Sequence, residues 1–253
     1  MSIPKRQGAA LIYSYLAMRK AVGWIAMALP LLLLAFHRGD PLTSISQAYY
    51  RDVSALFVGL LCAIGVFLLF YRGYDGRDRI ASLIAGLCAI VVSQMPGGSG
   101  CRAPASALPP LWQWRDEYPL ILSSLHFGAA ALMFAALAYF CICLFPETNK
   151  RGREGRRKLF RNRIYRSCGA VIVLAMAVEA LDRLLVWKYG DGAGFLWAVG
   201  TFCVESTMIF AFGISWAVKG ESFRILNDRD EETGTAPAPS ARNSGGAQGA
   251  VAK

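Results

Sequence analysis

The sequence predicts an all-α fold, a six-helix transmembrane bundle with both ends in the cytoplasm (N-in/C-in) and a disordered cytoplasmic C-terminal tail. Of the 253 residues, 55% are hydrophobic and 17% are charged, whereas an average soluble domain has roughly 45–50% and about 25%. Six apolar segments are long enough to cross a bilayer, and 21 of the 27 Lys and Arg residues lie on one side of them. This composition disfavours a soluble enzyme, a secreted disulfide scaffold and a disordered protein.

The six segments match the length that a membrane helix needs, about 20 residues for a hydrocarbon core of about 30 Å. They cover residues 16–36, 53–71, 80–96, 120–145, 167–187 and 195–218. A cytoplasmic segment, 1–15, precedes this transmembrane domain of residues 16–219, and a cytoplasmic tail, 220–253, follows it. We expect the charged stretch 221–232 to extend the last helix briefly, and the Ala-, Gly-, Pro- and Ser-rich stretch 233–253 to be disordered.

The first 40 residues have a competing interpretation as a signal peptide, with Lys5 and Arg6 as its charged beginning. The apolar run begins late, however, and residues 37–40 do not form a small-residue cleavage site. Arg19 and Lys20 also interrupt the approach to the apolar run. We therefore expect residues 11–18 to form an amphipathic lead-in helix at the cytoplasmic interface, with Arg19 and Lys20 reaching towards the headgroups.

The distribution of positive charge predicts the orientation. Nine Lys and Arg residues lie between the fourth and fifth spans alone, and only six of the 27 fall on the opposite side of the bundle. This positive-inside bias places both ends of the chain in the cytoplasm. The predicted location is therefore the cell inner membrane, with several crossings.

The basic connection between the fourth and fifth spans is interpreted as a topology determinant that contacts anionic lipid headgroups. The residues expected to make these contacts are Arg151, Arg153, Arg156, Arg157, Lys158, Arg161 and Arg163. Because two spans flank the loop, nucleic acid is disfavoured as a partner. A protein partner or a homo-oligomer stays open.

Ionisable side chains inside the spans are the candidate functional residues, because they are expensive to place in a membrane. At 1.5 Å per residue, Glu205 lies about 15 Å, Glu179 about 12 Å and His126 about 10 Å below the outer end of its span. This shared depth predicts a polar cavity in the outer half of the bundle. Its candidate residues are His126, Glu179, Asp182, Arg183 and Glu205, with Arg51, Asp52, Ser93, Gln94 and Ser123 at the outer ends.

Each of these groups also has a purely structural interpretation. Glu179 and Arg183 are spaced i, i+4 and can form an ion pair on one helix face. Glu205 has no basic residue within a turn on its own helix, so either another helix supplies a partner, His126 or Arg183, or the carboxyl stays protonated. His126 can equally be a packing residue with satisfied hydrogen bonds.

The sequence predicts no metal site, no disulfide and no cofactor. Membrane hydrolases such as the alkaline ceramidases need several histidines, including a close pair on a late span, and this chain has two in total. Six of the seven cysteines lie in spans, where they act as small apolar residues. The Gly- and Pro-rich outer loop, 97–117, is either a lid over the cavity or a plain interfacial loop.

Several short motifs carry a family resemblance. They are Ser44-Ile45-Ser46 with Tyr49-Tyr50, Phe57-Val58-Gly59, Tyr71-Arg72-Gly73-Tyr74, His126-Phe127, Arg161-Asn162-Arg163-Ile164-Tyr165-Arg166 and Phe212-Gly213-Ile214-Ser215-Trp216. Through them, residues 11–220 resemble a group of six-span bacterial inner-membrane proteins. The resemblance implies a membrane location and six helices, and it implies no activity. The pair Arg51-Asp52 stands three residues earlier than its counterpart in that group, which is nearly one helical turn.

Three functions follow from these observations. The first is an accessory or ligand-binding protein with a polar cavity. The second is a small transporter of a proton, a solute or a lipid headgroup. The third is a membrane-embedded lipid-modifying enzyme with Glu205 or Asp182 as general base, for which Ser123 or Ser93 would have to be the nucleophile.

Overall fold

The computed structural model describes residues 5–73, 75–95, 119–147, 155–196, 200–223 and 226. These residues form six α-helices joined by loops and two 3₁₀ turns. The helices are α1 Lys5–Phe36, α2 Ser54–Phe70, α3 Gly76–Gln94, α4 Pro119–Tyr139, α5 Arg156–Tyr189 and α6 Gly200–Lys219. A π-helical turn, Phe140–Leu144, continues α4, and the 3₁₀ turns are Ser46–Tyr50 and Asp191–Ala193.

Three helical stretches are long and apolar enough to cross a membrane, which is typical of a membrane protein. They are Tyr15–Phe36, Leu120–Leu144 and Gly200–Lys219. The helix α2 is also apolar but has only 17 residues. The helices α3 and α5 are longer, but charged residues interrupt their apolar sequences, near the beginning of α3 and near both ends of α5.

The six helices form a closed ring. Each helix packs against the next one along the chain, and α6 returns to pack against α1. The ring closes around a core of buried apolar side chains that every helix supplies. A space bounded by this ring is therefore enclosed by all six helices.

One end of the ring, which we call the basic end, collects most of the described positive charge. It holds Arg19, Lys20, Arg72, Arg77, Arg79, Arg156, Arg157, Lys158, Arg161, Arg163, Arg166 and Lys219. Arg77 forms an ion pair with Glu147 at 2.8 Å, and Lys219 donates to the Phe145 carbonyl at 2.9 Å. The backbone of Gly220 packs against that of Lys20. The beginning of α1 and the end of α6 therefore lie at the same end of the ring.

The opposite end, which we call the loop end, is organised by the segment 37–53 between α1 and α2. The Phe202 N–H donates to the Thr43 carbonyl at 2.8 Å, and the Tyr49 hydroxyl donates to the Gln94 carbonyl at 3.2 Å. These bonds tie the segment to α6 and to the end of α3. Consecutive helices therefore run in alternating directions between the two ends.

Two helix pairs approach each other closely through glycine. A Cβ atom at Gly213 of α6 would lie 2.9 Å from the Gly23 carbonyl oxygen of α1, and one at Gly65 of α2 would lie 3.0 Å from that of Gly86 on α3. Small residues allow helix backbones to approach in this way in membranes. These contacts place α1 against α6, and α2 against α3, at backbone distance.

Aromatic side chains fill the interior near the basic end. Trp216 is fully buried, and its ring lies 4.9 Å from Tyr71, 5.8 Å from Phe140 and 5.5 Å from Phe145, between ring centroids. The Arg19 guanidinium lies over the Tyr15 ring at 4.3 Å and donates to the Tyr71 hydroxyl at 3.1 Å. This aromatic cluster (Tyr71, Phe140, Phe145, Phe212 and Trp216) closes the interior at the basic end.

The lead-in helix expected at 11–18 is not separate, because α1 continues without interruption from Lys5 to Phe36. The last helix begins at Gly200 rather than at residue 195, since Phe195 and Leu196 belong to the preceding connection.

The expected extension of the last helix through 221–232 is wrong at its first residue. Glu221 has a φ of 57°, and the N–H groups of Glu221 and Ser222 donate to Val218 and Ala217. This pair of bonds is the Schellman arrangement that ends helices. The loop 97–117, most of the stretch 221–232 and the tail 233–253 lie outside the described residues.

Candidate functional site

The ring encloses a cavity of about 420 Å³ near the loop end. All six helices and the segment 37–53 supply its walls. Most of the lining is apolar and comes from Leu29, Ile45, Phe57, Leu61, Val92, Phe127, Ala130, Ala131, Met133, Phe134, Met176, Ala180, Met208 and Ile209. The polar lining residues are Ser46, His126, Glu179, Arg183 and Glu205. Four of the five residues expected to line a cavity therefore meet in one.

Glu205 ties α6 to the segment 37–53. Its carboxyl group accepts a hydrogen bond from the Ile45 N–H at 2.5 Å, and the Ser46 N–H lies beside it. These amides open the 3₁₀ turn Ser46–Tyr50, where backbone donors have no partner within the turn. The partner expected from another helix is therefore a backbone amide rather than His126 or Arg183.

His126 is 98% buried and has a hydrogen-bond partner at each ring nitrogen. Its Nδ1 lies 2.8 Å from the Met95 carbonyl oxygen, and its Nε2 lies 3.0 Å from the Ser46 hydroxyl. Since a carbonyl only accepts, Nδ1 carries a proton, and Nε2 of the neutral ring then accepts from the Ser46 hydroxyl. The two contacts therefore fix the orientation of the imidazole and the tautomer of its neutral form.

Glu179 and Arg183 stand at the lateral edge of the cavity. They lie 3.6 Å apart at i, i+4, with 19% and 52% of the two side chains exposed. The Arg183 guanidinium lies 4.7 Å from the centre of the Phe127 ring on α4, a distance at which a cation and an aromatic ring attract each other. This contact joins α4 and α5 across the edge of the cavity.

The cavity opens sideways between α4 and α5. The lining residues Phe127 and Ala131 on α4, and Ala180 and Arg183 on α5, are solvent-exposed. In contrast, the lining residues of α1, α2 and α3 are buried. The exposed part of the cavity wall is therefore on α4 and α5.

Asp182, the fifth expected cavity residue, lies outside the cavity lining. It is 93% buried, and its Oδ1 accepts hydrogen bonds from the N–H groups of Phe195 at 2.7 Å and Leu196 at 2.8 Å. It fixes the connection between α5 and α6. This contact gives it a structural role at the loop end.

The outer-end candidates lie around the loop end rather than in the cavity. Ser93 is fully buried and bonds to the Ile90 carbonyl at 2.7 Å and to Cys62 at 3.0 Å. Gln94 donates to the sulfur of Cys62 at 3.3 Å. Ser123 is half-buried, and Arg51 has a buried Nε without a hydrogen-bond partner among the described residues.

The exposed carboxylate of Asp52 contacts His37, whose side chain is buried at the loop end. His37 Nδ1 lies 2.5 Å from Asp52 Oδ1, and His37 Nε2 lies 2.8 Å from the Asp40 carbonyl oxygen. The Asp40 carbonyl and the Asp52 carboxylate raise the pKa of His37. The hydrogen bond from His37, followed by that from the Arg38 N–H, lowers the pKa of Asp52.

The described residues of the basic connection lie in the first turns of α5, at the basic end. Arg156 and Arg163 are exposed there, Arg157 and Lys158 are half-buried, and Arg161 donates to the Leu226 carbonyl. Arg151 and Arg153 lie outside the described residues.

Comparison of the chain with protein-family models, with curated proteins and with solved structures gave no match. Among the described residues, no three His, Cys, Asp or Glu side chains form a cluster that could hold a metal ion.

Ser46 is the cavity residue that sequence reasoning missed. It lies in a connection between two predicted spans, where a hydroxyl side chain is not expected to have a cost, and its partner His126 is 80 residues away. Its position in the motif Ser44-Ile45-Ser46 was a signal in the sequence, although nothing in the motif points to His126.

Proposed function

We propose that this chain is a six-span membrane protein that binds an amphipathic, lipid-like molecule in the cavity between its helices. The observation that carries the proposal is a largely apolar cavity of about 420 Å³, with a few polar groups and a lateral opening. Its size is within the range of ligand pockets, roughly 300–1,000 Å³. An apolar chain would fit its walls, and a polar group would meet Ser46, His126 and Glu205.

The outer surfaces of α3 and α5 support six spans. Between their charged residues, both helices expose large apolar side chains. These are Ile80, Leu83 and Leu87 on α3, and Val171, Val173, Leu174, Val178, Leu181 and Leu184 on α5. A soluble monomer rarely exposes such contiguous apolar surface, whereas lipid covers it at no cost. The 17 residues of α2 are at the lower limit of roughly 17–25 for a span.

The basic end supports the N-in/C-in orientation in a bacterial inner membrane, as does the resemblance to six-span inner-membrane proteins. Basic side chains prefer the cytoplasmic side, where the exposed Arg156 and Arg163 would meet anionic headgroups.

Fusions of alkaline phosphatase to the chain test the orientation, because this enzyme is active only outside the cytoplasm. We expect the enzyme to be active when it is fused after Asp40 and inactive when it is fused after Glu147. The reverse result would overturn the orientation.

The position of the opening favours a ligand that enters from the bilayer. Because the gap between α4 and α5 lies on the outer surface of the ring, it would face lipid in a membrane. Arg183 stands at its edge, half exposed, and can pair with an anionic group of a lipid. The aromatic cluster closes the interior towards the basic end, which favours binding over transport across the membrane.

Native mass spectrometry of the protein released from lipid nanodiscs tests the binding function. We expect the wild type to retain a lipid or fatty acid. Ala131→Phe and Ala180→Phe place a ring in the opening and should reduce the retained fraction several-fold. Ala135→Phe and Ala177→Phe are matched controls, since these alanines are exposed on the same helices and do not line the cavity.

The proposal fails if the wild type retains nothing, or if the plugging variants retain as much as the controls do. Glu205→Gln adds a test of the polar wall. Retention that is lost in this variant, while the fold is kept, would place the polar part of the ligand at Glu205.

A further inference from the structure

Ser46 and His126 form a hydroxyl–imidazole pair on the wall of the cavity. The Ser46 Oγ lies 3.0 Å from His126 Nε2, and both residues line the same space. Serine is a weak nucleophile by itself, and an adjacent base within about 2.6–3.2 Å is the arrangement that activates it. The pair joins the segment 37–53 to α4, so the fold brings together residues 80 positions apart.

The proton positions on His126 suit a general base. The Met95 carbonyl, 2.8 Å from Nδ1, holds the proton on that nitrogen and leaves the Nε2 lone pair directed at the hydroxyl. Catalytic sites with a Ser-His pair also contain a third group, which orients the imidazole. Here a backbone carbonyl takes that position, and it can also accept a hydrogen bond from an imidazolium once Nε2 is protonated.

The backbone around Ser46 is fixed from the other side. The Glu205 carboxyl group accepts a hydrogen bond from the N–H of the preceding residue, Ile45, at 2.5 Å. Ser46 is also the first residue of its 3₁₀ turn. The hydroxyl is therefore positioned by contacts to two helices, α4 through His126 and α6 through Glu205.

We propose that Ser46 is the nucleophile and His126 the general base of an acyl transfer from an ester lipid. This inference rests on the proposed lipid-binding function and adds a reaction to it. The Ser46 oxygen attacks the ester carbonyl while its proton moves to His126 Nε2. The bond between the carbonyl carbon and the alkoxy oxygen then breaks, and the leaving alcohol takes the proton from His126. Water, or an acceptor alcohol, attacks the acyl-serine in the same way and restores the free hydroxyl.

The cavity supplies the remaining requirements of the reaction. Its apolar walls can hold an acyl chain and exclude bulk water from the intermediate. Arg183 is the permanently charged cation among the described lining residues. A cation near the reacting carbonyl offsets the negative charge that develops on its oxygen.

A long-chain alkyl fluorophosphonate tests this inference, because it resembles an ester lipid and forms a stable phosphonate ester with an activated serine as fluoride leaves. The experiment uses the full chain in lipid nanodiscs, with peptide mass spectrometry to locate the adduct. We expect a single adduct on Ser46 and none in Ser46→Ala. His126→Gln should lower the labelling rate by about 10²- to 10⁴-fold, the usual contribution of a general base.

Ser93→Ala is the matched control, since Ser93 is a buried serine outside the cavity lining; its labelling should equal that of the wild type. No adduct in the wild type, or an equal adduct in Ser46→Ala, would overturn the inference. Lipid retention in the same samples separates the two proposals. If a lipid is retained but no adduct forms, the proposed lipid binding stands and the proposed acyl transfer is rejected. If neither a retained lipid nor an adduct is found, both proposals are rejected.

Discussion

At the scale of single residues, the contact between His37 and Asp52 makes the stability of the loop end depend on pH. Both nitrogens of His37 face acceptors, the Asp40 carbonyl and the Asp52 carboxylate, so the imidazolium is the form that satisfies them. The raised pKa of His37 gives stability that is fully present below the ordinary value of 6.5 and is lost as the pH rises through the raised pKa. The lowered pKa of Asp52 gives stability that is present above its ordinary value of 3.8 and is lost as the pH falls through the lowered pKa.

We therefore predict that the pair stabilises the protein most between about pH 4 and about pH 6.5. Thermal unfolding of the wild type and of Asp52→Asn should differ most in this range. The difference should shrink as the pH is raised through the folded pKa of His37. His37→Gln should remove the pH dependence of that difference. An equal difference at every pH would show that the contact carries no net charge interaction.

A second prediction at this scale concerns Asp182. Replacing it with Ala leaves the N–H groups of Phe195 and Leu196 without their acceptor in a buried site, and each unsatisfied donor costs about 1–3 kcal/mol. Asp182→Asn keeps a carbonyl oxygen in place and should be the milder change. Unfolding in increasing denaturant measures both variants. Similar stability of Asp182→Ala and the wild type would contradict the structural role.

The candidate site shows where sequence reasoning ends at this scale. The cost of ionisable groups in a membrane was enough to single out Glu205, His126, Glu179 and Arg183, which the fold brings to one cavity. The i, i+4 spacing also predicted the pair of Glu179 and Arg183. Sequence reasoning could not identify the partners of Glu205 and His126, because those are backbone groups or a loop hydroxyl. Glu205 bonds to an amide 160 residues away, and no periodicity in the sequence relates such positions. Asp182 is also an ionisable residue in a predicted span, but it lies outside the cavity lining and accepts hydrogen bonds from the connection between α5 and α6.

At the scale of helices, the closest contacts depend on glycine. A Cβ atom at Gly213 would lie 2.6 Å from the Met27 side chain and 2.9 Å from the Gly23 carbonyl oxygen. We predict that Gly213→Ala separates α1 from α6 and destabilises the protein by about 1–3 kcal/mol, as overpacking usually does. Gly59→Ala is the control, because a Cβ atom there meets nothing within 4 Å and alanine favours the helix. Unfolding titrations that rank Gly213→Ala as stable as Gly59→Ala would contradict the close contact.

The sequence predicted the bounds of a helix well where the whole helix is apolar. For α2, the predicted span 53–71 and the observed Ser54–Phe70 differ by one residue at each end. The ends of α5 and α6 were less predictable, because hydropathy reports burial in lipid and not backbone conformation. Charged residues begin α5 at Arg156, and apolar residues such as Phe195 precede α6 without being helical. The Schellman turn at Glu221 had no glycine at the position that would have signalled it.

At the scale of the whole molecule, the ring divides its exposed surface into an apolar band and a basic end. The exposed fraction is 66% for Leu174 and 53% for Phe160, and both residues belong to α5. Leu174 lies in the middle of the helix, where the proposed arrangement has lipid outside the ring. Phe160 lies in its first turns among basic side chains, where the proposed arrangement has the cytoplasmic headgroups. Both positions are more than half exposed, and their environments differ only if a bilayer surrounds the ring.

We therefore predict opposite tolerance to the same substitution. Leu174→Lys should reduce insertion and yield, because a lysine near the centre of a span costs about 2.5–3.5 kcal/mol during insertion. Phe160→Lys should insert like the wild type, since it adds a positive charge on the side that prefers it. Quantification of the membrane-integrated fraction after expression compares the two variants directly. If Leu174→Lys inserts as well as Phe160→Lys, then α5 does not face lipid at Leu174, and the six-span arrangement fails at this helix.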